Sequence, residues 1–464
     1  MGIVFFGNST HFSFRPYKLL MKQFVSCIVL LLTLSANSPG QTPVTAEDVK
    51  AEFLHSWNAY KQYAWGHDAL KPLTRLPHDW HEVSLLMTPV DAFDTMLLMG
   101  LKKEANEAKQ LVLNNLSFNH DIEVQAFEIT IRLLAGLLSA YQMDGDNRFL
   151  LLAEDLGKRL LPIYDSPTGM PYRYVNLRTG VTRDSVNNPA EIGTALLEFG
   201  TLSKLTGNPV YYQKAKLAAT QVFNRRSSKG LVGTWINVVT GQWTNPSSHI
   251  SGAIDSYYEY LIKAWLLFGD KDCKAMWDES IKSIQTYLAD TSTGSLWYGH
   301  ADMNSGKRTA SVFGSLDAFF PAVLCLSGDL KRARELQESS FRMWNLYGIE
   351  PEQLDYRTMM VTSKEYYLRP EIIESAYYLL FFTGDERYRE MGQTFFYNLV
   401  KYCKTDAGYA HLKDVTTMEK ADAMESFFFA ETLKYLYLIF APKETLDLNK
   451  VVLTTEAHPL RRTW

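Results

Sequence analysis

Cysteine is scarce in this chain of 464 residues: the four present are Cys27, Cys273, Cys325 and Cys403. Cys27 lies in a segment that we expect to be removed, and the other three are far apart in the sequence. Three scattered thiols form neither a disulfide framework nor a cluster with metal-ligand spacing. The fold must therefore depend on an apolar core, for which 46% hydrophobic residues are ample.

An excess of either charge is also missing. The 47 Lys and Arg residues nearly balance the 51 Asp and Glu residues, and the two signs are mixed along the chain. Nucleic-acid binding requires a basic patch or stripe, so we expect no nucleic-acid partner. Aromatic residues reach 13%, which suits a thick core and, at a few positions, surfaces that stack on sugars.

Long hydrophobic runs are absent as well, since no unbroken apolar stretch reaches the roughly 18 residues of a membrane span. The apolar stretch at 24–32 is short, follows Met21 and Lys22, and precedes small residues at 36–40. This is the pattern of a signal peptide within residues 1–40, and Met21 is a second candidate start. We expect an exported protein, secreted or periplasmic, with one domain over residues 45–464 and no membrane segment after signal removal.

An internal repeat indicates the architecture. Apolar, helix-like stretches end at a glycine, often followed by Asp or Asn, and a second amphipathic stretch then begins. Gly permits the left-handed conformation that ends a helix, and the next polar residue can cap a new one. Each unit is thus a helical hairpin, and seven hairpins predict an all-α toroid, an (α/α)7 barrel. The turns lie at Gly100, Gly145, Gly207, Gly269, Gly328 and Gly384, with a degenerate seventh copy at 439–442.

Acidic residues recur at similar distances before these turns, so we expect them to converge on one rim of the toroid. Carboxylates favour helix N-termini for electrostatic reasons alone, which is the alternative explanation for any single acid. That explanation does not account for the bulky apolar neighbours, because a buried carboxylate is costly unless it is paired, bound to a cation or functional. The recurring acids are Glu128, Glu191, Asp255, Glu371 and Glu425.

Eight segments carry a resemblance to a known family. They are YAWGHD at 63–68, VDAFDT at 90–95, FEITIR at 127–132, AEIGT at 190–194, DSYYEYL at 255–261, LRPEIIES at 368–375, MESF at 424–427 and TEAHP at 455–459. In this order they closely resemble glycoside hydrolase family 47, the class I α-mannosidases, from about residue 50 to residue 460. The resemblance implies an (α/α)7 barrel that removes terminal α-1,2-linked mannose from high-mannose glycans with inversion, and we expect a monomer.

The resemblance also implies a calcium ion at the base of the pocket. Thr455 occupies the position whose hydroxyl and main-chain oxygens bind Ca²⁺ in the family. Calcium prefers oxygen ligands in a flexible shell, so nearby carboxylates can hold it through water. This role falls to Glu191, Glu374, Glu431 and Glu456.

For catalysis an inverting glycosidase needs one protonated acid and one base. By similarity Glu128 is the leading acid and Glu371 the leading base, while Asp255 is a third candidate because the family's acid has been argued between these two positions. Arg132, Arg369 and Phe427 match residues near the sugar. As ordinary structural residues they would be a helical ion-pair partner, a surface charge and a core aromatic.

Two positions depart from the family pattern. Ser315 stands where many members have an active-site histidine, and its surroundings look like the ER-degradation-enhancing mannosidase-like branch. Ala253 replaces an arginine that helps some members select one glycan branch. A mannose-binding, lectin-like protein without turnover is therefore the alternative, and another α/α-toroid glycosidase or lyase is a third. Glu128, Asp255 and Glu371 together favour the enzyme, because a lectin needs no acid and base.

Overall fold

Six helical hairpins turn at the glycines of the repeat within residues 42–462, the part of the chain that the computed structural model describes. The predicted signal peptide lies outside the described residues, and the compact unit that holds the pocket begins at Val44. The six pairs are Phe93–Leu98 with Lys102–Asn115, Ala135–Asp144 with Asn147–Leu160, Leu196–Thr206 with Val210–Asn224, Asp255–Phe268 with Lys271–Tyr287, Phe320–Ser327 with Leu330–Trp344, and Glu371–Thr383 with Arg387–Tyr402.

The turn at Gly269 explains why these hairpins form. Gly269 has a φ of 71°, a left-handed conformation that glycine adopts without strain, and its N–H donates to the Trp265 carbonyl. The next residue, Asp270, accepts hydrogen bonds from the backbone N–H groups of Asp272 and Cys273, both at 3.0 Å. One residue thus ends the first helix and its neighbour caps the second.

The first helix of each hairpin packs against the first helix of the next, so these helices form an inner ring. The second helices lie outside it and bury one face only. In Asn147–Leu160, for example, the buried side chains Phe149, Ala153, Leu156 and Leu160 recur at steps of three and four residues. That spacing places them on one stripe of the helix, against the inner ring.

The prediction of an (α/α)7 barrel is confirmed, but the seventh pair differs from the predicted hairpin at 439–442. The inner helix Leu433–Phe440 has no helical partner following it; it packs against the N-terminal helix Ala46–Tyr63. Ala441 leaves the helix with a ψ of 160°. A residue before proline is pushed out of the helical region, and here Pro442 follows. The two ends of the domain therefore complete the ring together.

Short helices and small antiparallel sheets connect the outer helices to the next inner ones, at the end of the barrel where the inner helices begin; only Lys443–Thr445 and the last strand pair follow the final inner helix. The short helical segments are Met87–Asp91, Ala126–Ile129, Thr130–Leu134, Leu161–Tyr164, Pro189–Gly193, Leu316–Phe319, Phe428–Thr432 and Lys443–Thr445. The strands are Ala69–Lys71 with Leu76–His78; Glu123–Gln125 with Tyr174–Asn176 and Thr182–Arg183; Val186–Asn187 with Trp235–Asn237 and Trp243–Asn245; Ser247–Ser248 with His300–Asp302 and Arg308–Ala310; Ala289–Asp290 with Trp297–Tyr298; Val312–Gly314 with Gln353–Asp355 and Met360–Ser363; Lys404–Thr405 with Gly408–Tyr409; Leu412–Asp414 with Glu419–Lys420; and Val451–Leu453 with Pro459–Arg461.

The last of these hairpins, Val451–Leu453 with Pro459–Arg461, enters the barrel from its other end. Its base lies near the ends of the inner helices, where the Arg461 N–H donates to the side chain of Gln142. Its tip, residues 454–458, reaches the middle of the ring, and Glu456 and His458 are buried there. We call residues 454–458 the hairpin tip. It closes the barrel into a pocket with one open end.

Buried charges hold the hairpin tip in place. The His458 Nδ1 lies 2.7 Å from Asp94 and its Nε2 lies 3.3 Å from Asp91. Lys434 bonds both Asp94, at 2.8 Å, and the Ala457 carbonyl, at 2.7 Å. Burial alone would raise the pKa of Asp94, but Lys434 and His458 lower it to about 2. Buried ion pairs thus join the ring to the tip.

Three cysteines fall within the described part of the chain, and all are buried and free, which agrees with a fold that depends on its core. Among the described residues, no helix has the length and apolar character required to cross a membrane.

Candidate active site

A pocket of about 360 Å³ opens at the end of the barrel where the inner helices begin, and the hairpin tip forms part of its floor. Side chains from the starts of six inner helices line it. The fifth recurring acid, Glu425, does not line the pocket. The eleven residues to which the sequence analysis assigned a site role all do: Glu128, Arg132, Glu191, Asp255, Arg369, Glu371, Glu374, Phe427, Glu431, Thr455 and Glu456. Their placement agrees with the expected convergence, while their individual roles stay predictions.

Asp255 and Glu371 are the first residues of their inner helices. Burial, together with smaller contributions from Glu259 and Asp317, raises the pKa of Asp255 to about 7. Burial also raises the pKa of Glu371 to about 7, although Arg369 lowers it. Both carboxyl groups can therefore exchange a proton near neutral pH, which is required of a general acid or base.

The backbone before these two helices is strained. Ala253 has a φ of 73° and Leu368 a φ of 60°, both in the left-handed region that side chains with a Cβ rarely adopt. Residues in such conformations cost about 1–3 kcal/mol and cluster at functional sites. Here they turn the chain sharply just before Asp255 and Glu371, so each acid starts its helix at the pocket wall.

Arg132 is the main cation of the pocket. Its Nε and Nη2 donate to Glu128 Oε2 at 3.1 and 2.9 Å, its Nη1 contacts Glu456, and Asp91 lies 3.8 Å away. Burial lowers the pKa of Arg132, but Glu456, Glu128 and Asp91 outweigh that effect and raise it. The guanidinium also lies 5.6 Å from the Phe427 ring centroid. It orients two acids and one aromatic wall together.

Arg132 sits in an irregular turn, Thr130–Leu134, where the helix widens to π geometry. The segment before Leu433–Phe440 widens in the same way at Phe428–Thr432, which contains Glu431. Single π turns inside α-helices occur often at functional sites, because the extra residue redirects a side chain. Sequence reasoning gave no sign of either turn.

Carboxyl groups outnumber cations on the floor. Burial raises the pKa of Glu374 to about 8 although Lys263 lowers it, and burial raises the pKa of Glu456 to about 8 despite Arg132. Burial and then Glu456 raise the pKa of Glu431 well above its ordinary value. A buried group of this kind is stabilised by protons or by a bound cation.

The residues of the floor fit a hard cation. Thr455 faces the pocket with a hydroxyl, and a surplus of carboxyl groups surrounds it. Within residues 42–462 no three His, Cys, Asp or Glu side chains are arranged to hold a metal directly. An ion here would therefore take Thr455 oxygens and water as ligands, with the carboxylates in an outer shell, as calcium permits.

Sequence reasoning missed the residues that fix Thr455. The Thr455 N–H donates to the Tyr260 hydroxyl at 3.1 Å, and that hydroxyl donates to Glu198 Oε1 at 2.6 Å. Burial raises the pKa of Glu198 to about 7, since Tyr260 compensates only in part. Glu198 and Tyr260 are buried on two apolar inner helices, so in the sequence they resemble ordinary core residues.

Glu352 was missed as well. It forms a paired contact with Arg369, Nε to Oε1 at 2.9 Å and Nη2 to Oε2 at 3.0 Å. Such two-point pairs fix the orientation of a guanidinium. Burial lowers the pKa of Arg369, but Glu352 and Glu371 raise it. Arg369 is thus a held cation beside Glu371 and not a free surface charge.

Glu191 is surrounded by protein hydrogen-bond donors, while its expected water-mediated contact to an ion stays a prediction. Its carboxylate accepts four hydrogen bonds: two from Arg173 at 2.8 and 2.9 Å, one from Asn188 at 2.9 Å and one from Gln125 at 3.0 Å. A water-mediated contact to an ion would have to compete with these donors. These contacts join Arg173 to the pocket wall.

The two departures from the family pattern also lie at this end of the barrel. Ala253 lines the pocket, so the position of the missing arginine is open space. Ser315 is fully buried, and its hydroxyl has no hydrogen-bond partner among the described residues. The floor residues Glu374, Glu431, Thr455 and Glu456 are all present despite these two replacements.

An (α/α)7 barrel whose closed pocket holds two carboxyl groups poised near neutral pH defines a class of protein, the glycoside hydrolases with a toroid fold. The family model for glycosyl hydrolase family 47 matches residues 52–462. The chain belongs to this family, and it is a glycosidase.

Relatives of known name agree with this placement. The chain is 37% identical to mouse ER degradation-enhancing alpha-mannosidase-like protein 2, over 94% of this chain and 78% of the relative. It is 36% identical to human mannosyl-oligosaccharide 1,2-alpha-mannosidase IB, over 89% of this chain and 69% of the relative. Among solved structures, the alpha-1,2-mannosidase from Trichoderma reesei superposes with a TM-score of 0.83 at 30% identity, covering 91% of this chain and all of that one.

We predict that the free energy of unfolding, measured with a chelator present, decreases between pH 5 and pH 9. The folded pKa values of Glu371, Glu374 and Glu456 are about 7 to 8, whereas unfolded Glu titrates near ~4.3. Between these pKa values the folded protein binds more protons than the unfolded chain. The resulting stabilisation of the folded state is complete below the unfolded pKa and is lost as the pH rises through 7 to 8. Urea unfolding at each pH measures it.

Glu374→Gln provides the matched test, because it removes one of these protons. The slope of unfolding free energy against pH should then decrease by up to ~1.4 kcal/mol per pH unit. A wild-type stability that is flat or rises over this range would show that the floor carboxyls are not protonated in the folded protein.

Proposed function

We propose that this protein is a calcium-dependent, inverting exo-α-1,2-mannosidase that removes terminal α-1,2-linked mannose from high-mannose glycans or mannosides. The observation that carries the proposal is a pocket with one open end, into which both Asp255 and Glu371 project, closed below by the hairpin tip with Thr455. A pocket of this kind admits the end of a chain, not its middle. The relatives named as 1,2-alpha-mannosidases support the choice of linkage.

The proposed reaction divides the work between two carboxyl groups. Glu371 acts as the base: its ionised form takes a proton from the water that attacks the anomeric carbon. Asp255, whose pKa of about 7 leaves part of it protonated at neutral pH, gives its proton to the leaving oxygen. Glu128, oriented by Arg132, is the alternative acid. Inversion follows because water attacks the face opposite the leaving group.

Calcium is proposed to bind at Thr455, with Glu374, Glu431 and Glu456 around it through water. When bound, the ion would hold the sugar's 2- and 3-hydroxyl oxygens and supply positive charge at the pocket floor. The chain's own residues do the rest: Arg132 fixes Glu128 and Glu456, Arg369 holds its place beside Glu371 through Glu352, and Phe427 provides an apolar wall.

We further propose that the protein is exported through the signal peptide predicted within residues 1–40, acts on glycans in a secreted or periplasmic setting, and does so as a monomer. The alternative is a lectin-like protein that binds mannosylated chains without turnover. The two functions differ in one respect that can be measured: only the enzyme depends on Glu371 as a base.

Removing calcium should abolish turnover. After exhaustive chelation we expect hydrolysis of α-1,2-mannobiose to stop and to return when Ca²⁺ is added, because the sugar hydroxyls lose their ligand and the floor carboxyls their counter-charge. Rates on α-1,3- and α-1,6-mannobiose should stay far lower throughout. Released mannose measures each rate. Undiminished activity in chelator, or equal rates on the three linkages, would contradict the proposal.

Glu371→Gln should reduce turnover by about 10²–10⁴-fold, since the amide keeps the shape of the side chain but cannot accept the proton. Calcium-dependent binding of the disaccharide, measured by calorimetry, should remain. Stability should change little, because Glu371 starts its helix and its Oε2 has no hydrogen-bond partner among the described residues.

The exposed Glu444 gives a control, because Glu444→Gln makes the same chemical change outside the pocket. It should leave turnover, binding and stability unchanged. Equal turnover by Glu371→Gln and wild type would remove Glu371 from the mechanism, and absence of turnover in wild type with intact binding would favour the lectin.

A further inference from the structure

Trp235 lies nearer the mouth of the pocket than its floor. It starts the strand Trp235–Asn237 and lines the pocket, yet it is only half-buried. The floor residues Glu431 and Glu456 are 7% and 3% exposed. In an exo-acting enzyme the terminal sugar occupies the deep end, so the remaining glycan must leave the pocket past residues placed as Trp235 is.

A contact with Arg173 fixes the orientation of the Trp235 ring. The Arg173 guanidinium carbon lies 5.3 Å from the ring centroid, a cation–π contact. Arg173 does not line this pocket, and its own position is set by the two-point contact with Glu191. The indole therefore lies against the half-buried Arg173 of this ion pair and also lines the pocket. A ring that is already ordered loses little entropy on binding a ligand.

The indole N–H of Trp235 is available to a ligand. Among the described residues it donates to no protein acceptor, whereas the Nε1 of Trp243, on the paired strand, donates to the Arg225 carbonyl at 2.7 Å. Two neighbouring tryptophans thus differ: one is tied into the scaffold and the other presents a free donor at the pocket. An aromatic face with one polar group is suited to a sugar ring, which has an apolar C–H face and hydroxyl acceptors.

The wall beside Trp235 has space for such a ring. Gly252 and Ala253 line the same pocket and carry no long side chain. The left-handed backbone at Ala253, with a φ of 73°, turns the chain away at this point. The small residues and the flat indole together form a shallow surface at the mouth.

We propose that Trp235 is a stacking platform for mannose residues on the leaving-group side of the scissile bond, beyond the terminal disaccharide, with Arg173 and Glu191 as its positioning residues. This inference rests on the proposed function. It assigns to the protein a preference for extended oligomannose chains over short mannosides, set at the pocket mouth and not on the floor.

The test compares two substrates, α-1,2-mannobiose and a nine-mannose oligosaccharide, by kcat/KM at saturating calcium. The ratio of the larger to the smaller substrate should fall about tenfold in Trp235→Ala, which corresponds to ~1.4 kcal/mol, mainly through KM. Trp235→Phe should recover most of the ratio because it keeps an aromatic face. Tyr174→Ala is the control: Tyr174 also contacts Arg173, at 5.6 Å, but does not line the pocket.

Binding separates this inference from the proposed function. In the Glu371→Gln background, calorimetry of the nine-mannose oligosaccharide should show weaker affinity with Trp235→Ala and unchanged affinity with Tyr174→Ala. An equal ratio and equal affinity for Trp235→Ala and wild type would overturn the platform. Equal losses in the Tyr174 variant would overturn it too, because Tyr174 does not line the pocket and the effect would then not depend on the indole face. If wild type cleaves neither substrate, the proposed function fails, and the binding comparison still decides the role of Trp235.

Discussion

The insertion of the hairpin tip, residues 454–458, into the centre of the barrel is the constraint on which the rest of the pocket depends. Without it the ring of inner helices would enclose an open channel. With it, Thr455 reaches the floor, Glu456 meets Arg132, and His458 meets Asp91 and Asp94. The tip is polar and buried, so it can stay in place only because Lys434, Arg132 and the inner-helix acids neutralise one another.

At the sugar-facing surface the acidic groups outnumber the cations that neutralise them. The proposed calcium site depends on this excess of carboxyl groups. Cations are paired closely with particular acids, Arg132 with Glu128 and Arg369 with Glu352, while Glu374 and Glu431 keep raised pKa values. A divalent cation would supply the missing positive charge. The fold thus holds acids in a place where burial alone would exclude them, and it orients them through neighbours placed outside the pocket.

The repeat of glycine turns allowed the sequence to predict the (α/α)7 barrel, because a left-handed glycine followed by a capping Asp is a local signal. The seventh pair could not be predicted in the same way, since Ala46–Tyr63 and Leu433–Phe440 are paired only by closure of the ring. The acids were found because carboxylates among apolar residues are unusual. Tyr260, Glu198 and Glu352 were not, because their function depends on contacts with Thr455 and Arg369 that no spacing reveals.

The central claim is that water, activated by Glu371, attacks a mannose held in a closed pocket, on the face opposite the leaving group. The anomeric form of the first mannose released tests this most directly. Proton NMR during the first minutes of hydrolysis of the methyl glycoside of α-1,2-mannobiose, whose leaving group cannot contribute free mannose, should show β-mannose before mutarotation. Initial α-mannose would require a covalent intermediate and a different use of the two carboxyl groups, and would contradict the account.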